Sequence, residues 1–182
     1  MRPDNSSRLL RVLLLAALIV LAAVVRLVPH PMNFTPVGAM AIFAGAVFAD
    51  RRLALVVPLA ALLLGDLATG LHVLIPVVYA SFALNVLLAR WLRSRRTVAT
   101  IAAVTLAGAV QFFVTTNFAT WVVFYPHTAE GLVECYVAAL PYLRNTLLGD
   151  GVFVTVLFGG LTLAERAFPA VREPVPATSA AS

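Results

Sequence analysis

Residues 117–150 read NFATWVVFYPHTAEGLVECYVAALPYLRNTLLGD. Between Asn117 and Asp150 stand His127, Glu130, Glu134, the only cysteine (Cys135), Arg144 and Asn145, interleaved with Trp121, Tyr125, Tyr136 and Tyr142. On both sides the chain is almost unbroken hydrocarbon. A polar, aromatic break between two apolar segments reads as the rim of a membrane bundle, where water and headgroups can meet exposed polarity. Thr128 to Leu140 is too short and too mixed to cross a bilayer. It is expected to lie at the interface as a short helix, with Leu143 to Leu163 supplying a final span.

Composition supports a membrane reading of the whole chain. Of 182 residues, 62% are apolar and only 12% charged, and the mean hydropathy is +0.97. Soluble domains are about 45–50% apolar and about 25% charged. A single water-soluble core of this size cannot hide that excess, so lipid must cover it. The net charge of +5 is carried by 13 arginines against eight acidic residues, with no lysine. The arginines stand between apolar segments rather than in one stripe, so no nucleic-acid partner is expected. A lone cysteine forms no internal disulfide. The sequence has no glycine-rich phosphate loop, no G-x-S-x-G and no paired zinc motif. The expectation is therefore a protein that is not an enzyme and carries no cofactor or bound metal.

Working outward, five further apolar segments precede the organising stretch. Leu9–Val28 is long enough to span, since a bilayer core takes about 20 residues. A basic lead and an apolar run also fit a signal peptide, but Ala22-Ala23-Val24-Val25-Arg26 is a poor cleavage site. The loop PHPMNFTP (Pro29–Pro36) stops the first helix, because its three prolines hold extended backbone. The second helix, from Val37 to Asp50, carries Ala41, Gly45 and Ala49 on one face, a small-residue pattern that lets helices approach closely in lipid. A third runs from about Leu53 to Leu67 and a fourth from Val73 to Trp91, ending in RWLRSRR. A fifth begins near Val98. Residues 1–168 are thus expected to form one domain, and residues 169–182 a disordered tail.

Six spans place both termini on one side. That side holds Arg2, Arg8, Arg11, Arg51, Arg52, Arg90, Arg93, Arg95, Arg96, Arg166 and Arg172, and the other holds Arg26 and Arg144. Positive residues mark the cytoplasm. The expectation is a multi-pass protein of a bacterial cytoplasmic (inner) membrane, an all-α polytopic bundle of six transmembrane helices with both termini inside.

Polar groups then gather at the outer face. Asp150 would lie about 10 Å below the outer edge of the last span, where a carboxylate needs water or a partner. It either lines a pocket or pairs with Arg26 or Arg144 to fix helix packing. The forks of Arg26 and Arg144 suit a carboxylate or phosphate ligand, or simply snorkel to headgroups. Trp121 shares a helix face with Asn117 and Tyr125, as a pocket wall would require. His30, His72, His127 and Cys135 show no metal-ligand spacing. The candidate ligand-binding set is Asn33, Asp66, Asn117, Trp121, Arg144, Asn145 and Asp150, converging on one hollow.

The segments PHPMNFTPVGAMAIFAGA, PLAALLLGDLATG, TNFATWVVFYPHTAEGLVECYVAALPYLRNTLLGD and LFGG together resemble an uncharacterised family of small bacterial membrane proteins. More distantly, the layout is similar to the substrate-binding S-components of energy-coupling-factor vitamin transporters. That resemblance implies a six-helix bundle with a vitamin or cofactor-precursor pocket under an outer lid, and an energising transporter module as partner. Such subunits often dock through an alanine-x-x-x-alanine motif in the first helix, and Ala16, Ala17, Ala22 and Ala23 miss that spacing. The resulting expectation is a small-molecule binding and transport protein. The alternative is an accessory subunit of a larger membrane complex, docked through the Ala41/Gly45/Ala49 face.

Overall fold

The computed structural model describes residues 5–25 and 28–172. Their regular structure is all helix, joined by short loops, with no strand among them. The helices are α1 (Asn5–Val25), α2 (Val37–Val47), α3 (Arg51–Thr69), α4 (Ile75–Ala89), α5 (Val98–Phe124) and α6 (Ala129–Ala167). A 3-10 turn, Arg90–Ser94, extends α4, and another, Pro169–Val171, follows α6. Three helix starts are written into the sequence. Asp50 accepts from the N–H groups of Arg52 and Leu53, which holds its carboxyl below the usual range. Thr97 forms a capping box with Thr100, and Thr128 accepts from Gly131 N–H.

Four helices are long and apolar enough to cross a membrane: α1, α4 with its 3-10 extension, α5 and α6. Of the six expected spans, these four meet that measure. α2 has 11 residues, about 16 Å of helix against a core of about 30 Å. α3 has 19 residues but includes Arg51, Arg52 and Asp66.

α2 is the centre of the bundle. Every one of its residues is buried, as a helix apolar on all sides must be, and it packs against α1, α3, α4, α5 and α6. Its small-residue face is used inside the chain. A Cβ on Gly45 would stand 2.2 Å from the carbonyl oxygen of Val86 in α4. The expectation that Ala41, Gly45 and Ala49 present a docking face to another protein is thus overturned: Ala41 and Gly45 are covered, and only Ala49 is exposed.

The organising stretch also differs from its reading. Thr128–Leu140 is not a separate interfacial helix; apart from the cap residue Thr128 it is the first part of the 39-residue α6. Gly131, Cys135 and Ala139 are buried at four-residue spacing, a small-residue seam that packs antiparallel on α5. The Tyr136 hydroxyl donates to Val114 O at 2.7 Å, and Cys135 Sγ to Asn117 O at 3.4 Å. Pro141 removes one N–H without ending the helix, which membrane helices tolerate.

At the far end, buried Arg11 of α1 meets Glu165 of α6 at 2.7 Å and donates to Val171 O at 2.6 Å. The start of α1 and the end of α6 therefore share one end of the bundle. Residues Pro169–Val171, expected to be disordered, instead pack on α1 with Val171 buried. The rest of that tail, 173–182, lies outside the described residues.

Candidate functional site

The opposite end holds the α1–α2, α3–α4 and α5–α6 connections, and beneath them lies a cavity of about 300 Å³. Asn33 and Thr35 enter it from the proline-rich loop, and Asp66 and His72 from around the α3–α4 connection. α4 gives Phe82, α5 gives Phe112, Phe113, Thr116, Asn117 and Thr120, and α6 gives Tyr142 and Thr146. A smaller space of about 50 Å³ shares Asn33, Thr35, Phe82, Phe112 and Thr146 with it and adds Gly38, Asn85, Ala109 and Asp150. The smaller space is therefore the floor of the larger.

This hollow follows from the shortness of α2. The chain from Val28 to Pro36 covers in irregular backbone what a full span would cover as helix. Irregular backbone at membrane depth is tolerated where it lines a cavity or is buried in protein. Asn33 makes the turn with φ of +63°, a left-handed conformation that asparagine adopts more readily than most residues. Asn145 Nδ2 donates to Met32 O at 2.9 Å and ties this loop to α6.

Asp150 is 3% exposed and accepts from Ala39 N–H at 3.1 Å. It thereby serves the first turn of α2, whose own N-cap, Pro36, supplies no side-chain bond. The negative carboxylate complements the positive end of the helix. Asp66, equally buried, accepts from the Tyr79 hydroxyl at 2.9 Å. Thr116 and Thr120 donate to the carbonyls of Phe112 and Thr116 at 2.7 and 2.8 Å. Their hydrogens are thus satisfied within α5, and the oxygens keep lone pairs for other partners. Phe82 and Phe112 stack with ring centroids 4.8 Å apart.

Of the candidate residues, Asn33, Asp66 and Asn117 line the larger cavity, and Asn33 and Asp150 line its floor. Trp121, Arg144 and Asn145 line neither. Trp121 donates its indole N–H to Pro126 O at 2.9 Å and meets His127 edge-on, so it holds the α5–α6 turn. Arg144 is exposed, and Arg26 lies outside the described residues. Among the described residues, no arginine lines either cavity. Sequence reasoning missed Thr35, Asn85, Phe82, Phe112, Thr116, Thr120 and Thr146. A usable signal was the row Phe112, Thr116, Thr120, which puts one stripe of α5 on one side.

Over residues 6–171 the chain matches, and belongs to, the family described as a family of unknown function (DUF6580). This is in keeping with the uncharacterised family that its motifs resemble. No curated protein and no solved structure matches the chain.

Proposed function

We propose that this member of a family of unknown function is an integral membrane protein that binds and transports a small molecule. In this reading it works in a bacterial cytoplasmic membrane with both termini inside, in the manner of an S-component. The observation that carries the proposal is the 300 Å³ cavity at one end of the bundle. Small-molecule sites start at about that size and combine apolar walls with a few placed polar groups. Here the walls are Phe82, Phe112 and Phe113, and the polar groups are Asn33, Thr35, Asp66, His72, Thr116, Asn117, Thr120 and Thr146.

The lining favours a neutral or cationic ligand with several hydrogen-bonding groups. A carboxylate-bearing ligand would meet Asp66 and, on the floor, Asp150, with no arginine among the described residues that line either space. Aromatic faces next to a carboxylate suit an amine or a heteroaromatic ring.

Thermal unfolding of the detergent-purified protein tests the reading against vitamins, cofactor precursors and organic amines. A compound that binds should raise Tm by mass action. The rise should shrink in Phe113→Ala, which removes a wall, and in Asp66→Asn. A panel that shifts nothing, together with normal uptake of every compound by cells lacking the protein, would remove the proposal.

A further inference from the structure

The floor of the cavity gathers more acceptors than donors. Five residues with side-chain oxygens line a space of about 50 Å³: Asn33, Thr35, Asn85, Thr146 and Asp150. Two of them direct a hydrogen elsewhere. Asn85 Nδ2 donates to Gly108 O at 3.3 Å, and Thr146 Oγ1 donates to Tyr142 O at 2.9 Å. Asn85 is 2% exposed, and its Oδ1 is buried with no hydrogen-bond partner. An orphaned buried carbonyl of this kind costs about 1–3 kcal/mol unless something meets it.

Asp150 adds a negative charge to the same space. Its one hydrogen bond among the described residues comes from Ala39 N–H, and no arginine or histidine among them pairs with it. An isolated carboxylate at membrane depth is costly until a positive charge or a proton joins it.

We propose that this floor binds one small monovalent cation of about the size of Na+, held between the Asp150 carboxylate and Asn85 Oδ1. Thr146 and the Asn33–Thr35 loop complete its oxygen shell. Oxygen donors without nitrogen or sulfur suit a hard cation. A single carboxylate neutralises a monovalent ion and leaves a divalent one with an unmatched charge in low dielectric. A water molecule would satisfy Asn85 but leave the charge of Asp150 unanswered. The space shares five lining residues with the cavity above, so occupancy of the two is linked. The site stands on its own oxygens, and its test uses the cation alone.

The experiment is a NaCl titration of the purified full chain in detergent at fixed pH, with choline chloride holding ionic strength constant. Wild type should show a rise in Tm that grows with the logarithm of Na+ concentration above Kd, reaching roughly 5 °C at about 100 times Kd, and should bind radiolabelled sodium saturably. Asp150→Asn keeps an acceptor for Ala39 and removes the charge, so it should abolish both responses. Thr146→Val keeps the shape and removes one oxygen. It guards against a folding defect in the first variant, and should move the midpoint to about tenfold higher Na+. Equal Tm in NaCl and choline chloride would overturn the proposal, as would a sodium response that survives Asp150→Asn. So would an infrared carbonyl band of protonated Asp150 that sodium does not diminish, because the proton would then be the occupant.

Discussion

Gly38 and Asp150 make a single fitted contact. A Cβ at position 38 would sit 2.3 Å from Asp150 Oδ1, inside any real contact distance. Gly38→Ala should therefore push the carboxylate off Ala39 N–H, cost about 1–3 kcal/mol by overpacking, and lower Tm in detergent. Gly151→Ala is the matched control, because a Cβ there meets nothing within 4 Å. Trading glycine for alanine in an exposed helical turn should leave Tm unchanged or slightly raised. Equal losses in both variants would mean that the contact carries no special cost. Asp66, Asn117 and Asp150 were legible as cavity candidates because polarity inside a greasy helix needs a reason, and Asn33 because its loop stands at the same end of the bundle. Trp121, Arg144 and Asn145 are just as polar, but they serve a turn, an exposed surface and a loop tie. Residue type does not separate those uses. Which face of α5 and α6 turns inward does, and that is a tertiary fact.

The short central helix explains the arrangement at the next scale. α2 has no side-chain cap of its own at its N-terminus, and tertiary partners serve both of its ends. Asp150 meets the N-terminal N–H of Ala39. Arg93 donates to Val47 O at 3.3 Å, and Arg90 to Ala49 O at 3.2 Å, at the C-terminal end. Opposite charges thus sit at the ends that the helix macrodipole favours. The basic cluster RWLRSRR read as a topology signal, and two of its arginines also close α2. Removing both, as Arg90→Ala with Arg93→Ala, should destabilise the fold by about 1–2 kcal/mol. The single Arg95→Ala should do less, because its guanidinium lies over the exposed Trp91 ring at 5.1 Å. A double variant as stable as wild type would show that solvent serves those carbonyls equally well. Helix order and most boundaries were readable from the apolar runs, the prolines and the arginines between them. The length of α2 and the fusion of Thr128–Leu140 into α6 were not. A buried half-helix and a spanning helix share one apolar pattern, and the polar groups that interrupt α6 become meaningful only once α5 lies against Gly131, Cys135 and Ala139.

For the whole molecule, the two ends do different work. One end is loosened by a short central helix and holds the 300 Å³ polar cavity. The other is drawn together by Arg11, which joins α1 to Glu165 of α6 and to the turn at Val171. α6, at 39 residues, is about 58 Å long, longer than a bilayer core, so in crossing a membrane it would tilt or project. Breaking a buried ion pair costs about 3–5 kcal/mol when the remaining charge is stranded. The Glu165 side chain is 30% exposed, which reduces that figure because water can reach it. Arg11→Met should accordingly cost about 2 kcal/mol, and Glu165→Gln about 1 kcal/mol, since the glutamine oxygen still accepts from Arg11. Arg11→Met should also free the Pro169–Val171 turn, so limited proteolysis should cut near Arg172 faster than in Glu165→Gln. Cleavage at the same rate in wild type and Arg11→Met would show that Val171 is held by its own packing, and that the arginine joins the helices without fastening the segment that follows them.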